Sequence, residues 1–203
     1  MPRIDTLDAL RRIYKEPAGR AVTKAIPRLD RHCRRVIELS PFLVIASGDG
    51  KGTMDASPRG EEPGFVEVLD DRTLAIPDRP GNNRLDTFAN ILVNPAVGLI
   101  FFIPGVEETL RINGTAEIRD DDDLSGRFAV KGKRPATVLV VRLGEAYLHC
   151  AKALMRSRLW SDDVRVDRSV LPSMGQMLKD QIGLAEEAES QEAMRERYSD
   201  QLY

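Results

Sequence analysis

Four of the five arginines in the stretch from Pro41 to Gly114 of this 203-residue chain, Arg59, Arg79, Arg84 and Arg111, each fall at an expected strand end or in a loop. Arg79 and Arg84 bracket Pro80-Gly81-Asn82-Asn83, a turn sequence leading into an expected helix over 83–93. Guanidinium forks beside the N–H groups and positive dipole end of a helix suit a phosphate monoester. The alternative is that these arginines are solvated surface charges. Other reactive residues form no self-contained constellation. His32 and His149 are the only histidines, and neither neighbours a nucleophile motif, so no Ser-His-Asp order emerges. Each precedes a cysteine, but adjacent ligands do not match the spacing of a zinc site. Cys33 and Cys150 are therefore expected to be reduced, buried, small apolar residues.

Two further stretches invite a ligand and do not sustain one. Gly48-Asp49-Gly50-Lys51-Gly52 lacks the spacing and following helix of a phosphate loop, which leaves a hairpin turn. Asp120–Asp123 lacks the spaced ligands and central glycine of a calcium loop, and reads as the N-cap of a helix beginning at Leu124. Trp160, the lone tryptophan, reads as a core or interface anchor.

The elements that must position the arginines follow from periodicity and punctuation. Asp5-Thr6-Leu7 starts a helix with Leu7, Leu10, Ile13 and Tyr14 on one face, ended by Glu16-Pro17. A second helix is predicted over 18–26, and a third from an Asp30 cap through Ile37, with Cys33, Val36 and Ile37 inward. Strands follow over 42–47 and 53–57, the latter stopped by Pro58, then over 65–69 and 73–76 as a hairpin. After the helix, residues 97–103 are nearly all apolar and predict a central strand buried on both faces. A strand over 108–119 alternates, and 136–143, extended by 146–149, is a β-branched core strand. From Ala151 onward the chain reads as helical, broken at Pro172 and Gly183.

Composition fits a soluble globular protein: 42% hydrophobic, 31% charged, net charge −2. That charge gives no nucleic-acid footprint, and no apolar stretch reaches membrane-spanning length. With no export signal at the start, the expected compartment is the cytoplasm. Residues 1–39 carry ten Lys/Arg against five Asp/Glu, and the last twenty carry two against six. These are either two solvated helix faces or surfaces that pair within the chain or across a dimer. No repeat or linker divides the molecule, so one domain is expected: a helical N-terminal extension (1–39), a mainly β core (40–150) and a helical C-terminal extension (151–203).

In order and spacing, residues 40–150 resemble the FMN-binding split β-barrel superfamily, whose namesake is pyridoxamine 5′-phosphate oxidase. The resemblance rests on the strand, Arg/Asn-rich loop, helix and Asn-Pro of Leu74–Pro95, and on Glu108-Thr109-Leu110-Arg111-Ile112-Asn113-Gly114. The latter is similar to a Gln-Val-Arg-Val-Glu-Gly strand, with Thr109 at the glutamine. The N-terminal helices and LHCAKALMRSRLW resemble a bacterial branch of FMN-dependent enzymes. The resemblance implies an α+β split β-barrel that binds FMN in the cleft of a homodimer and acts as an oxidoreductase. It places Met54, Asp55 and Ser57 at the flavin ring, with Arg59 near the phosphate or ribityl chain. Ile76, Pro77, Asp78 and Arg79 would run beside the isoalloxazine, and Asn83 and Arg84 would hold the phosphate. Thr109 and Arg111 would reach the flavin of the same or the partner subunit, and Lys152 and Arg156 would contact it from the partner. Of these, Arg59, Arg111 or Lys152 could stabilise a reduced, anionic flavin. The family's Ser-Arg-Lys and C-terminal Arg-x-His are absent here, so pyridoxamine phosphate is not the expected substrate. A non-catalytic flavin or haem carrier on the same fold is the alternative, with only two histidines available for axial ligation. A purely structural dimerisation module is a third.

Overall fold

Three helices precede the first strand, and they are held very differently. The computed structural model describes residues 3–199 and 202. α1 (Leu7–Ile13) is capped by the Thr6 hydroxyl, which accepts from the Ala9 N–H at 3.1 Å, yet it buries none of its residues. The predicted 18–26 helix is a single turn, α2 (Arg20–Thr23), because Ile26 leaves to form a β-bridge with Ala146. α3 (Arg31–Leu39) is firmly seated. The Asp30 carboxylate accepts from the N–H groups of His32 and Cys33, while Cys33 and Ile37 face the core. The Cys33 N–H, first of several causes, holds the Asp30 carboxyl below its ordinary range. Burial pushes the Cys33 thiol up to about 11.

The sheet elements then follow in chain order: β1 (Phe42–Gly48), β2 (Met54–Gly60), β3 (Glu67–Val68), β4 (Thr73–Pro77), α4 (Asp86–Val93), β5 (Ala96–Ile103) and β6 (Val106–Arg119). α5 (Asp122–Gly126) and β7 (Val138–His149) complete the core. Beyond it lie α6 (Lys152–Ser157), two 3-10 turns, α7 (Met174–Ile182) and α8 (Gln191–Ser199). Every strand pairing is antiparallel, in the order β2-β1-β5-β6-β7-β4-β3. Alternation sends Leu43, Ile45, Leu74, Ile76, Leu99, Phe101, Leu110, Ile112 and Val141 into one apolar interior. A smaller cluster of Ala75, Phe128 and Val138 fills the outside of β4 and β7. The two ends of the sheet meet where Arg79, just after β4, hydrogen-bonds Glu61, just after β2. This is the α+β split barrel that the sequence predicts.

Several boundaries differ from the sequence reading, each for a local reason. β2 does not stop at Ser57 but runs through Pro58 to Gly60; it is an edge strand, where proline costs no ladder hydrogen bond. α4 begins at Asp86, not Asn83, because Asn83 and Leu85 take left-handed backbone angles. β5 is fully buried on one face only: Val97, Leu99 and Phe101 point inward, while Gly98, Ile100 and Phe102 are half-exposed. α5 starts at Asp122 rather than Leu124, and the Asp121 side chain makes no capping bond. β3 is two residues long, shorter than predicted, and β7 starts at Val138. Cys150 is exposed, contrary to expectation, because it lies past the end of β7. Gly114 sits at a bulge in β6, where an added Cβ would collide with the carbonyl oxygen of Arg142. Gly183 ends α7 in the left-handed conformation, as its position predicts.

Candidate cofactor cleft

Along β2 the side chains alternate between a polar inner row and an outer row. Asp55, Ser57 and Arg59 are half-buried, and pair in register with the inward-facing Ser47, Ile45 and Leu43 of β1. The inner face of the sheet thus turns from apolar to polar at its last strand. Opposite it, β4 leads Pro77 into Asp78, Arg79 and the loop to α4. Between these two walls lies a cleft of about 770 Å³, within the size range of small-molecule sites. Residues 55–61 form one wall, 77–88 the other, and Arg134 and Ala136 approach from the β7 side.

Polar contacts fix the cleft's shape. The buried Thr87 hydroxyl, in the first turn of α4, donates to Asp55 Oδ2 at 2.6 Å. Asn90 Nδ2 donates to Ser47 Oγ at 3.1 Å, and Asn94 Nδ2 to the Gly48 carbonyl at 3.0 Å. These three bonds lay α4 against β1 and β2. Arg79 donates through Nε and Nη2 to both oxygens of Glu61, at 2.8 and 3.0 Å, and both side chains are largely buried. This bidentate pair spans the split. Arg59 donates to Ser57 Oγ at 2.5 Å and to the Pro58 carbonyl at 2.9 Å. Its charge partly offsets the burial that raises the Asp78 carboxyl above its ordinary range.

The loop before α4 departs from the sequence reading. Arg84 does not open the helix but lies two residues before it, exposed, with Nε 2.8 Å from Asp86 Oδ2. The Asp86 carboxylate is what raises the Arg84 guanidinium pKa. The Arg84 N–H donates to Asn82 Oδ1 at 3.1 Å, which with left-handed Asn83 and Leu85 curls the loop around the cleft mouth. Any phosphate there must compete with Asp86 for Arg84.

Of the residues singled out in the sequence, Asp55, Ser57, Arg59, Pro77, Asp78, Arg79, Asn83 and Arg84 line this one cleft. The others lie elsewhere. Met54 is exposed at the start of β2, and Ile76 has its side chain in the apolar interior, so neither side chain lines the cleft. Thr109 and Arg111 alternate with the inward Leu110 and Ile112, which puts them on the outer face of β6. There the Arg111 guanidinium and Lys24 ammonium share the Tyr147 ring, at 5.8 and 5.0 Å from its centroid. Lys152 and Arg156 are exposed on α6. Sequence reasoning passed over Glu61, Thr87 and Arg134. Glu61 stands in what reads as a surface loop, and only the folded chain brings it to Arg79. Arg134 had a signal, a cation just before a β-branched run.

Whether a flavin fits can be tested on the polar groups left over. The Asp78 carboxylate lines the cleft and makes no hydrogen bond among the described residues. A ligand carrying several hydrogen-bonding groups and a phosphate suits such a cleft; a plain apolar ligand does not. Neither histidine lines the cleft: His32 is on α3, where Arg31 bonds it, and His149 ends β7. Among the described residues no cluster of His, Cys, Asp and Glu could hold a metal ion, and no helix is long and apolar enough to cross a membrane.

This fold and cleft define a class, the split barrels. Residues 29–150, over half of the chain, match the pyridoxamine 5′-phosphate oxidase family, and the chain belongs to that family. No curated protein matches it. A HupZ variant of Group A Streptococcus is 18% identical with TM-score 0.50, over 60% of this chain and 99% of that one, which shows a shared fold. A candidate pyridoxamine 5′-phosphate oxidase of Lactobacillus delbrueckii is 20% identical with TM-score 0.49, over 60% and 95%. An FMN-binding protein of Syntrophomonas wolfei is 12% identical with TM-score 0.44, over 58% and 88%.

Proposed function

We propose that this protein is an FMN-binding oxidoreductase of the pyridoxamine 5′-phosphate oxidase family, with a substrate other than pyridoxamine phosphate. The observation that carries the reading is the cleft across the barrel's split, lined by Arg59, Arg79, Arg84 and Arg134 together with the loop of Gly81, Asn82 and Asn83. Family membership supports a flavin as its occupant. In this reading the loop end, with Asn83 and Arg84, takes the phosphate. Asp55, Ser57 and Asp78 face the remainder of the cofactor, and backbone groups of Ile76 and Pro77 flank the ring. The flavin supplies the hydride and electron chemistry; the protein binds, orients and shields it.

The family's use of a dimer cleft leads us to assign a homodimer as the working form. The half-exposed outer row of Phe42, Val44, Ala46, Ile100 and Phe102 offers an apolar face for it. Arg111, Lys152 and Arg156 are exposed on the outer side and would meet a flavin only across such an interface, whereas Thr109 is buried within the subunit. The two unbridged cysteines support a reducing, cytoplasmic setting. The haem alternative is weakened by the lack of a histidine in the cleft.

Titrating the protein with FMN and following flavin fluorescence and absorbance tests the reading. Quenching with a dissociation constant in the micromolar range or tighter, on the order of −8 kcal/mol, is expected. Absence of binding at tens of micromolar FMN would remove it. Oxidation of reduced nicotinamide by the FMN-loaded protein separates an enzyme from a carrier.

A further inference from the structure

Among the described residues, most of the exposed large apolar side chains lie on either side of the stretch 29–150 that matches the family. Before it, Leu7, Leu10, Ile13 and Tyr14 form one stripe along α1; Leu10 is half-buried, the other three are more than 60% exposed, and the helix buries no residue. After it, Leu171, Met174, Leu178 and Ile182 recur every three or four residues along α7 and its approach, each between 44% and 64% exposed. That second arm is tightly built. Ser173 Oγ donates to the Glu189 carbonyl at 2.9 Å, Arg168 Nη2 donates to Gln191 Oε1 at 2.8 Å, and a Cβ on Gly175 would run into the backbone of Glu189. Yet α7 and α8, of nine residues each, bury none of them, and helices so short are marginal in water on their own. A well-formed helical pair with an uncovered stripe calls for something to lie on it.

The charges say what. Residues 1–39 are basic and the last twenty acidic. Arg12, Lys15 and Arg20 on one arm make no ion pair among the described residues, and neither do Glu186, Glu187 and Glu192 on the other. An anionic lipid surface would suit the first arm and repel the second. A second copy of this chain carries the complement of both. Within one protomer both stripes stay exposed.

We propose that the two arms dock across the homodimer, the apolar stripe of α7 in one protomer lying on α1 of its partner, with the acidic segment that follows α7 beside the cations of that arm. Two-fold symmetry makes the contact twice in each dimer. The proposal rests on the homodimer assigned above and adds a contact separate from its outer sheet face.

The test uses full-length chains carrying Cys150→Ser, with two differently tagged copies co-expressed. One copy has Ile13→Cys and the other Leu178→Cys, and a short bismaleimide is added. A product bearing both tags is expected, and none when Asp123→Cys on α5 replaces Ile13→Cys as the control for chance collision. Leu178→Asp/Ile182→Asp, at two exposed positions, should stay folded by circular dichroism and raise the dimer dissociation constant by about tenfold or more in sedimentation. The wild-type constant should also rise between about 0.05 M and about 0.5 M salt, as the opposed arms are screened. Linking only within a single chain that carries both cysteines would overturn the exchange. So would pelleting of wild type with phosphatidylserine vesicles, lost in Ile13→Asp, without the two-tag product. A dimer that neither links nor responds to Leu178→Asp/Ile182→Asp overturns the arm contact and leaves the homodimer standing. A wild-type protein that stays monomeric overturns both.

Discussion

Breaking the ion pair that spans the split should cost more than its single contact suggests. Arg79 reaches Glu61 through two hydrogen bonds, and the side chains keep only 20% and 8% of their exposure. Arg79→Met retains the apolar stem but takes both of these hydrogen bonds and the opposing charge from a nearly buried carboxylate. Stranding a fully buried charge costs about 3–5 kcal/mol, and the partial exposure of Arg79 brings the expectation to about 2–3 kcal/mol. For a chain of this length that is a fall in melting temperature of roughly 4–12 °C. Glu61→Gln should cost less, since an amide still accepts one bond. The double variant Glu61→Leu/Arg79→Met, which removes both charges together, should lose clearly less than the two single losses combined, with a coupling of about 1 kcal/mol or more. The assay is a double-mutant cycle by urea or thermal unfolding at constant salt. Additivity within about 0.5 kcal/mol would refute the view that this pair fastens the two edges of the sheet.

Other outcomes follow from single features. Arg84→Ala should weaken FMN less than tenfold and riboflavin hardly at all, because Arg84 is solvated and shared with Asp86; equal weakening of both ligands would remove the phosphate role. A thiol reagent at neutral pH should modify Cys150 promptly in the native protein and Cys33 only after unfolding, as burial and the raised thiol pKa protect Cys33; two fast equivalents would contradict the packing of α3. Asp30→Ala should cost about 1 kcal/mol at neutral pH through loss of the cap. Since the folded Asp30 pKa is lowered, that stabilisation is present above the ordinary carboxylate range and fades as pH falls through the folded value. Wild-type and variant unfolding curves should therefore converge in acid. Gly114→Ala should destabilise by about 1–3 kcal/mol through its clash with Arg142, visible as an earlier melt; an unchanged melt would mean that the bulge relaxes freely.

Much of the barrel could be read from residue patterns because alternation and turn chemistry are local. Leu43, Ile45, Leu99, Phe101, Leu110 and Ile112 announce their strands by spacing alone, and Asp30 and Gly183 mark helix ends through chemistry within a turn. What eluded the sequence depends on neighbours distant in the chain. Pro58 reads as a strand breaker until β2 is known to be an edge. Arg84 reads as a helix opener until Leu85 is seen in a left-handed conformation, which few leucines adopt. Arg79 reads as a cation for a ligand until Glu61, eighteen positions earlier, is found against it. Helix periodicity in α1 is correct, yet it did not reveal that Leu7, Ile13 and Tyr14 stay largely exposed.

The strand order also dictates a sequence of assembly. β2 finds its partner β1 by a local hairpin, so the first wall of the cleft can form as soon as those residues are made. β4 has only the two-residue β3 and the far later β7 to pair with. Until Val138–His149 leave the ribosome and dock, the second wall has no scaffold. A nascent chain ending before β7 would thus carry only half of the cleft, and the site is completed only once the whole barrel has been made.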